Sequence, residues 1–117
     1  MRKLLSVLIT IVMVLSLQAQ PKHQLRAVWI ATVGRIDWPS SVSNVTAQRQ
    51  ELITILDSLA ALKFNTVIFQ VRPTSDAFYQ SDIEPWSRFL TGKQGVSPEP
   101  FYDPLEFLIR EAHRRCI

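Results

Sequence analysis

Apolar positions change their spacing several times along the chain, and each change marks an element. Arg2 and Lys3 precede a largely apolar run from Leu4 to Leu17, about 14 residues long. A membrane span needs about 20 apolar residues, whereas this length suits the apolar region of a secretory signal peptide. Residues 1–19 are expected to be that peptide, with Ala19 the last residue before the cut, Gln20 the new N-terminus and 20–24 a short linker. An uncleaved N-terminal anchor is the alternative. No cysteine lies near residue 20 to accept a lipid, so no stable membrane anchor is expected once the leader is removed.

Leu25 to Val33 (LRAVWIATV) is nearly continuously apolar and β-rich, the pattern of a strand covered on both faces. Gly34 to Val45 is rich in Gly, Pro, Ser and Asn and reads as a loop. From Ala47 to Lys63 the spacing becomes helical. Leu52, Ile55, Leu56 and Leu59 form one stripe, with Thr46 or Asn44 available as the cap. Phe64-Asn65 closes this helix, and Thr66 to Val71 (TVIFQV) is a second strand. Arg72 to Tyr102 has no clear period and carries four prolines and two glycines, which suits a lid or binding loop. Asp103-Pro104-Leu105-Glu106 then marks a helix start, with Asp103 as N-cap and Glu106 reaching back to it. Leu105, Leu108, Ile109 and Ala112 are its expected buried stripe.

The order strand, helix, strand, long loop, helix predicts an α/β fold with parallel pairing. No Gly-x-Gly-x-x-Gly and no phosphate loop follows either strand, which disfavours a nucleotide-binding doubly wound sheet. A (β/α)8 barrel fits better. That fold needs about 250 residues, so the 117 residues here are expected to be the first two βα units of an incomplete (β/α)8 TIM-type barrel, spanning 25–117.

Composition narrows the functional classes. The chain is 47% hydrophobic and 20% charged, which is globular rather than disordered. Its formal charge is +3, but without Arg2 and Lys3 the 13 basic residues fall to 11 against 10 acidic ones. That balance gives no reason to expect a nucleic-acid partner. Cys116 is the single cysteine, so no intrachain disulfide can form. The two histidines lack any HExxH context, and neither a metal nor a cofactor is expected.

Candidate chemistry lies where the strands end. Ile68, Gln70 and Arg72 share one strand face, which turns polar toward its C-terminal end, where barrel active sites are built. Gln70 has a structural alternative, satisfying a buried backbone group, and Arg72 has another, pairing with a carboxylate such as Asp76. The loop after the first strand carries Asp37 and Trp38. The loop after the second carries Asp76, Phe78, Tyr79, Asp82, Glu84 and Trp86. Carboxylates interleaved with aromatic rings suit sugars, because apolar ring faces stack on Trp or Tyr while hydroxyls bond to Asp, Gln and Arg. Trp38 beside Pro39 also suits simple loop packing, and Asp82 or Glu84 a solvated surface.

IDWPS (36–40), FQVRP (69–73), DAFY (76–79), EPWS (84–87), LTGKQG (90–95) and FYDPL (101–105) occur in order at close spacing. With these motifs the chain resembles the start of the glycosyl-hydrolase-like family ten domain, from about Leu25 to Arg115. The resemblance implies a (β/α)8-type barrel and an exported bacterial protein of the periplasm, envelope or exterior. Its partner would be a glycan or polysaccharide, peptidoglycan strands for some relatives. The implied substrate-site residues are Asp37, Trp38, Gln70, Arg72, Asp76, Tyr79 and Trp86. The family pattern continues with a Gly and a third strand, where this chain has Cys116 and Ile117. A truncated product or broken gene model is therefore expected, lacking the catalytic carboxylates that later strands supply. Two functions follow as expectations. One is the inactive N-terminal part of a glycan-cleaving enzyme; the other is a non-catalytic glycan-binding or envelope-interaction module. The isolated product is expected to be weakly stable and prone to aggregate.

Overall fold

The computed structural model describes residues 24–117; the expected signal peptide lies outside the described residues. Strand β1 (Ala27–Ile30) runs into a 3-10 turn (Val33–Arg35), then helix α1 (Val45–Ala61) and strand β2 (Thr66–Phe69). A short helix α2 (Arg88–Thr91) and helix α3 (Pro104–His113) follow. The result is a mixed α/β fold in which β1 and β2 pair in parallel, Ala27 opposite Thr66 through Ile30 opposite Phe69.

Both strands are shorter than the apolar runs that contain them. Beyond Ile30, the two ladder groups of Ala31 are taken by its own loop: its N–H donates to Asp37 Oδ2 at 2.8 Å and its carbonyl accepts from Asp37 N at 3.0 Å. The next residue, Thr32, has a helical backbone (φ −100°, ψ −19°), which starts the turn. The expectation that β1 is covered on both faces needs correction. Val28, Ile30, Val67 and Phe69 face the helices and join the core. Trp29 and its register partner Ile68 lie on the other face, 55% and 45% exposed.

Helix α1 begins at Val45, two residues earlier than expected, because Asn44 is its N-cap and accepts from Ala47 N at 3.0 Å. It buries Val45, Gln48, Leu52, Leu56 and Leu59. Ile55, expected in the same stripe, packs only partly against this core. The cap of α3 is as expected in part. Asp103 Oδ1 accepts from Glu106 N at 3.0 Å with Pro104 in the first turn. Glu106, however, turns outward to Arg110 at 3.6 Å instead of reaching back. The buried stripe of α3 is Pro104, Phe107, Leu108, Glu111 and Ala112, and Ile109 is exposed. Leu108 and Ala112 are buried as expected, while Phe107 takes the place of Leu105 and Ile109 because its ring meets Tyr102 edge to face, centroids 6.2 Å apart. Glu111 is tolerated inside because Arg114 and Arg115 both bond its carboxylate.

The long connection after β2 has a frame that no hydrophobic period announces. A parallel bridge joins Ala77 to Trp86, with Ala77 N donating to Pro85 O and Ser87 N donating to Ala77 O, both at 2.9 Å. Ser87 caps α2, and Gly92 ends it with a left-handed backbone (φ 86°). Trp38, Phe69 and Phe78 form an aromatic knot beneath this loop and α1, with centroids 5.7–6.4 Å apart.

Candidate functional site

The two strands run side by side in one direction, so the loops that follow them leave from the same edge. Gln70 fastens those loops together. Its N–H continues the ladder to Ile30 O at 3.1 Å. Its side-chain Oε1 accepts from both Thr32 N and Val33 N at 3.0 Å, and Thr32 Oγ1 donates to Gln70 O at 2.6 Å. Of its two sequence readings, Gln70 takes the structural one. Asp37, clamped to Ala31, does the same for the first loop.

Arg72 lies exposed beyond Gln70 and pairs with Glu84, not with Asp76. Glu84 is mostly buried, and its second oxygen, Oε2, has no hydrogen-bond partner among the described residues. Asp76 is fully buried and accepts from Thr74 N and Thr74 Oγ1, two residues before it, which shapes the loop. Tyr79 is half-buried. Trp86 is half-buried against the core, with Phe101 set edge to face at 6.1 Å and 83°.

Trp38 departs most from a sugar platform. Its side chain is 0% exposed, its ring packs against Phe69 and Phe78, and its Nε1 donates to Gln48 O at 3.0 Å. No ring face is left for a ligand, and its alternative reading, loop packing, describes its position. Of the seven expected site residues, the structure thus brings Gln70 and Asp37 to the loop joint and leaves Arg72 open at the edge. Tyr79 and Trp86 are half-covered, and Trp38 and Asp76 are withdrawn beneath the surface.

Glu84 and Gln48 carry more of this architecture than sequence reasoning assigned them. Glu84 reads in the sequence as one of several solvated carboxylates, and only the orphaned oxygen and the Arg72 pair distinguish it. Gln48 Nε2 donates to Ser41 O and Leu90 O, both at 2.8 Å, and its Oε1 accepts from Tyr102 OH at 2.8 Å. It therefore ties the first loop, α2 and the start of α3 to α1. The available signal is its place one helical turn before Leu52, a polar residue on the apolar stripe. Burial pushes the Tyr102 hydroxyl well above its ordinary range, opposed by Arg49 and assisted by Asp103. It therefore remains a donor to Gln48 through the neutral range.

Comparison with known proteins gives a consistent picture. The family model described as Glycosyl hydrolase-like 10 matches residues 24–117. The glycosyl hydrolase YngK of Bacillus subtilis (strain 168) is 52% identical over 98 residues, which cover 83% of this chain and 19% of that protein. The glycosyl hydrolase DigH of Escherichia coli (strain K12) is 45% identical over 104 residues, covering 82% of this chain and 23% of that protein. DigH of Shigella flexneri matches with the same figures. The chain spans about a fifth of the length of these curated relatives.

Proposed function

The chain belongs to the glycosyl hydrolase-like 10 family, and from that premise we propose that it forms the first two βα units of a (β/α)8 barrel that acts on a polysaccharide of the cell envelope or its surroundings. The observation that carries this reading is the joint at the strand ends. Gln70 bonds the loop after β1 from the end of β2, which makes one continuous rim from two successive units. A barrel enzyme builds its site on that rim. Arg72, held by Glu84, and the half-covered Tyr79 and Trp86 are the sugar contacts on this part of it. Asp37, Gln70, Trp38 and Asp76 act from behind by fixing the loops.

Glycoside hydrolysis needs two carboxyl groups flanking the scissile bond, about 5–9.5 Å apart according to stereochemical outcome. Three carboxylates at this rim are engaged: Asp37 with Ala31, Asp76 with Thr74 and, through one oxygen, Glu84 with Arg72. This 117-residue chain is therefore expected to hold sugar without cleaving it, and export is expected to follow from the leader. The test is a binding and turnover assay on purified chain with polymeric peptidoglycan glycan strands. Binding that falls at least fivefold in Arg72→Ala, with no released reducing ends, is the expected result. Sustained turnover would overturn the inactivity, and unchanged binding in Arg72→Ala would overturn the rim. For export, the expected product begins near Gln20 and lies outside the cytoplasm in fractionated cells. A cytoplasmic product retaining Met1 would contradict it.

A further inference from the structure

A cavity of about 300 Å³, whose lining does not include Arg72, opens between α1 and the start of α3. Its floor is Phe107, which is buried. Two guanidinium groups lie over this ring, Arg49 at 4.7 Å and Arg110 at 5.4 Å from the centroid. Such stacking holds a planar group in place while leaving its N–H donors free to bond a ligand. Arg49 makes no ion pair among the described residues, and Arg110 has only loose ones, 3.6 Å to Glu106 and 3.8 Å to Glu111. Asp103 and Glu106 also line it, Asp103 with its two oxygens held by Glu106 N and Gln80 N.

The remaining wall is Phe101, 58% exposed. It is a large apolar ring at the surface, yet it is not loose. Trp86 braces it edge to face, and the next residue, Tyr102, is buried and anchored on Gln48. A fixed aromatic face beside paired donors and acceptors is the chemistry of a sugar subsite, because C–H faces stack on the ring while hydroxyls bond at the edges. Two guanidinium groups against two carboxylates leave the cavity without net charge, which suits a neutral ligand over an anion. Its volume is at the lower end of the about 300–1,000 Å³ range of small-molecule sites, room for one ring rather than a chain.

The geometry points to a second carbohydrate-binding site on this chain: Phe101 is the stacking face for one neutral pyranose unit, with Arg49 and Arg110 donating to its hydroxyls and Glu106 accepting from them. The ligand class rests on the glycan reading above; the location rests on the cavity itself. Such a site would hold a strand of substrate on the helix side of the rim, apart from the Arg72 contact.

Saturation-transfer NMR on the full 117-residue chain tests this, with a β-1,4-linked N-acetylglucosamine dimer as the probe. Transfer to the sugar ring C–H protons is expected in the native chain, with a drop of at least fivefold in Phe101→Ala. Recovery in Phe101→Trp and a drop in Arg49→Ala are also expected. Phe101→Ala and Phe101→Trp are compared by circular dichroism, so that loss of fold is separated from loss of the ring. Equal transfer in native and Phe101→Ala chains would overturn the inference, as would displacement of the sugar by equimolar inorganic phosphate. Loss in Arg72→Ala but not in Phe101→Ala would also overturn it while leaving the rim reading intact. No transfer in the native chain would overturn the second site alone, since the rim is assayed separately with polymeric strands.

Discussion

Gln48 is 1% exposed, and both amide protons and its side-chain oxygen are used. Replacing it with Leu keeps the volume nearly constant but strands the Tyr102 hydroxyl and the carbonyl of Ser41, and leaves the carbonyl of Leu90 only its bond from Ser43 N. An unsatisfied buried polar group costs about 1–3 kcal/mol; Leu90 O keeps one bond and the Ser41 bond is only part-buried, so the Tyr102 hydroxyl carries most of the loss. Gln48→Leu is therefore expected to destabilise the chain by about 2–3 kcal/mol, read from urea denaturation. A change below about 0.5 kcal/mol would show that the hub is replaceable. The same residue shows what the sequence hides at this scale. Gln70 is legible as polar at a strand end, and its two roles can be written down in advance. Gln48 is harder, because a glutamine on an apolar stripe looks like a break in the pattern, and its partners lie 7, 42 and 54 residues away. Trp38 misleads for a related reason: a tryptophan in a loop beside carboxylates looks like a sugar platform, and only the positions of Phe69 and Phe78 reveal it as core.

At the scale of elements, what is written locally is legible and what depends on rotation is not. Asn44 and Asp103 act through backbone groups three residues away, so their caps can be read from adjacent letters. Asp103 has a second task that cannot, since Oδ2 also accepts from Gln80 N at 2.8 Å and so closes the long loop onto α3. Losing an N-cap costs about 1 kcal/mol. Asn44→Ala is expected to cost that amount and Asp103→Ala about 1 kcal/mol more, compared by thermal and urea melts. Equal costs would mean that the Gln80 bond adds nothing. The end of α2 offers a sharper case. Gly92 has φ 86°, and a Cβ there would lie 3.1 Å from Val42 Cγ1. Gly92→Ala is expected to cost at least about 1 kcal/mol and to raise amide exchange at Ser43, whose N–H donates to Leu90 O. The face of α3 is legible in part, since Leu108 and Ala112 are buried as their spacing predicts and Ile109 is not. Leu105 and Ile109 fit the helical period as well as Phe107 does, and choosing between them requires knowing that Tyr102 and Arg49 wait on one side.

Among the described residues the sheet is covered unevenly: helices pack on one face, while Trp29 and Ile68 on the other are about half exposed. Parallel sheets are ordinarily covered on both faces, and a sheet of two strands leaves both edges open. The parallel order was legible because strand and helix periods alternate. The bare face was not, since a continuous apolar run predicts cover without saying which polypeptide supplies it. If the barrel reading holds, the cover comes from later strands of the kind the longer relatives have room for. The two situations make opposite demands on the same residues. In the 117-residue chain, Trp29→Thr together with Ile68→Thr places β-branched, strand-compatible side chains at both positions and removes an exposed apolar pair. Aggregation measured by light scattering is expected to fall, with the urea midpoint within the error of the native chain. At the equivalent strand positions of a full-length relative, the same pair would be cut out of a packed interior and should cost about 3 kcal/mol or more. Tolerance in both settings would mean that this face stays in water in the longer protein too, and a closed ring could not then be the architecture.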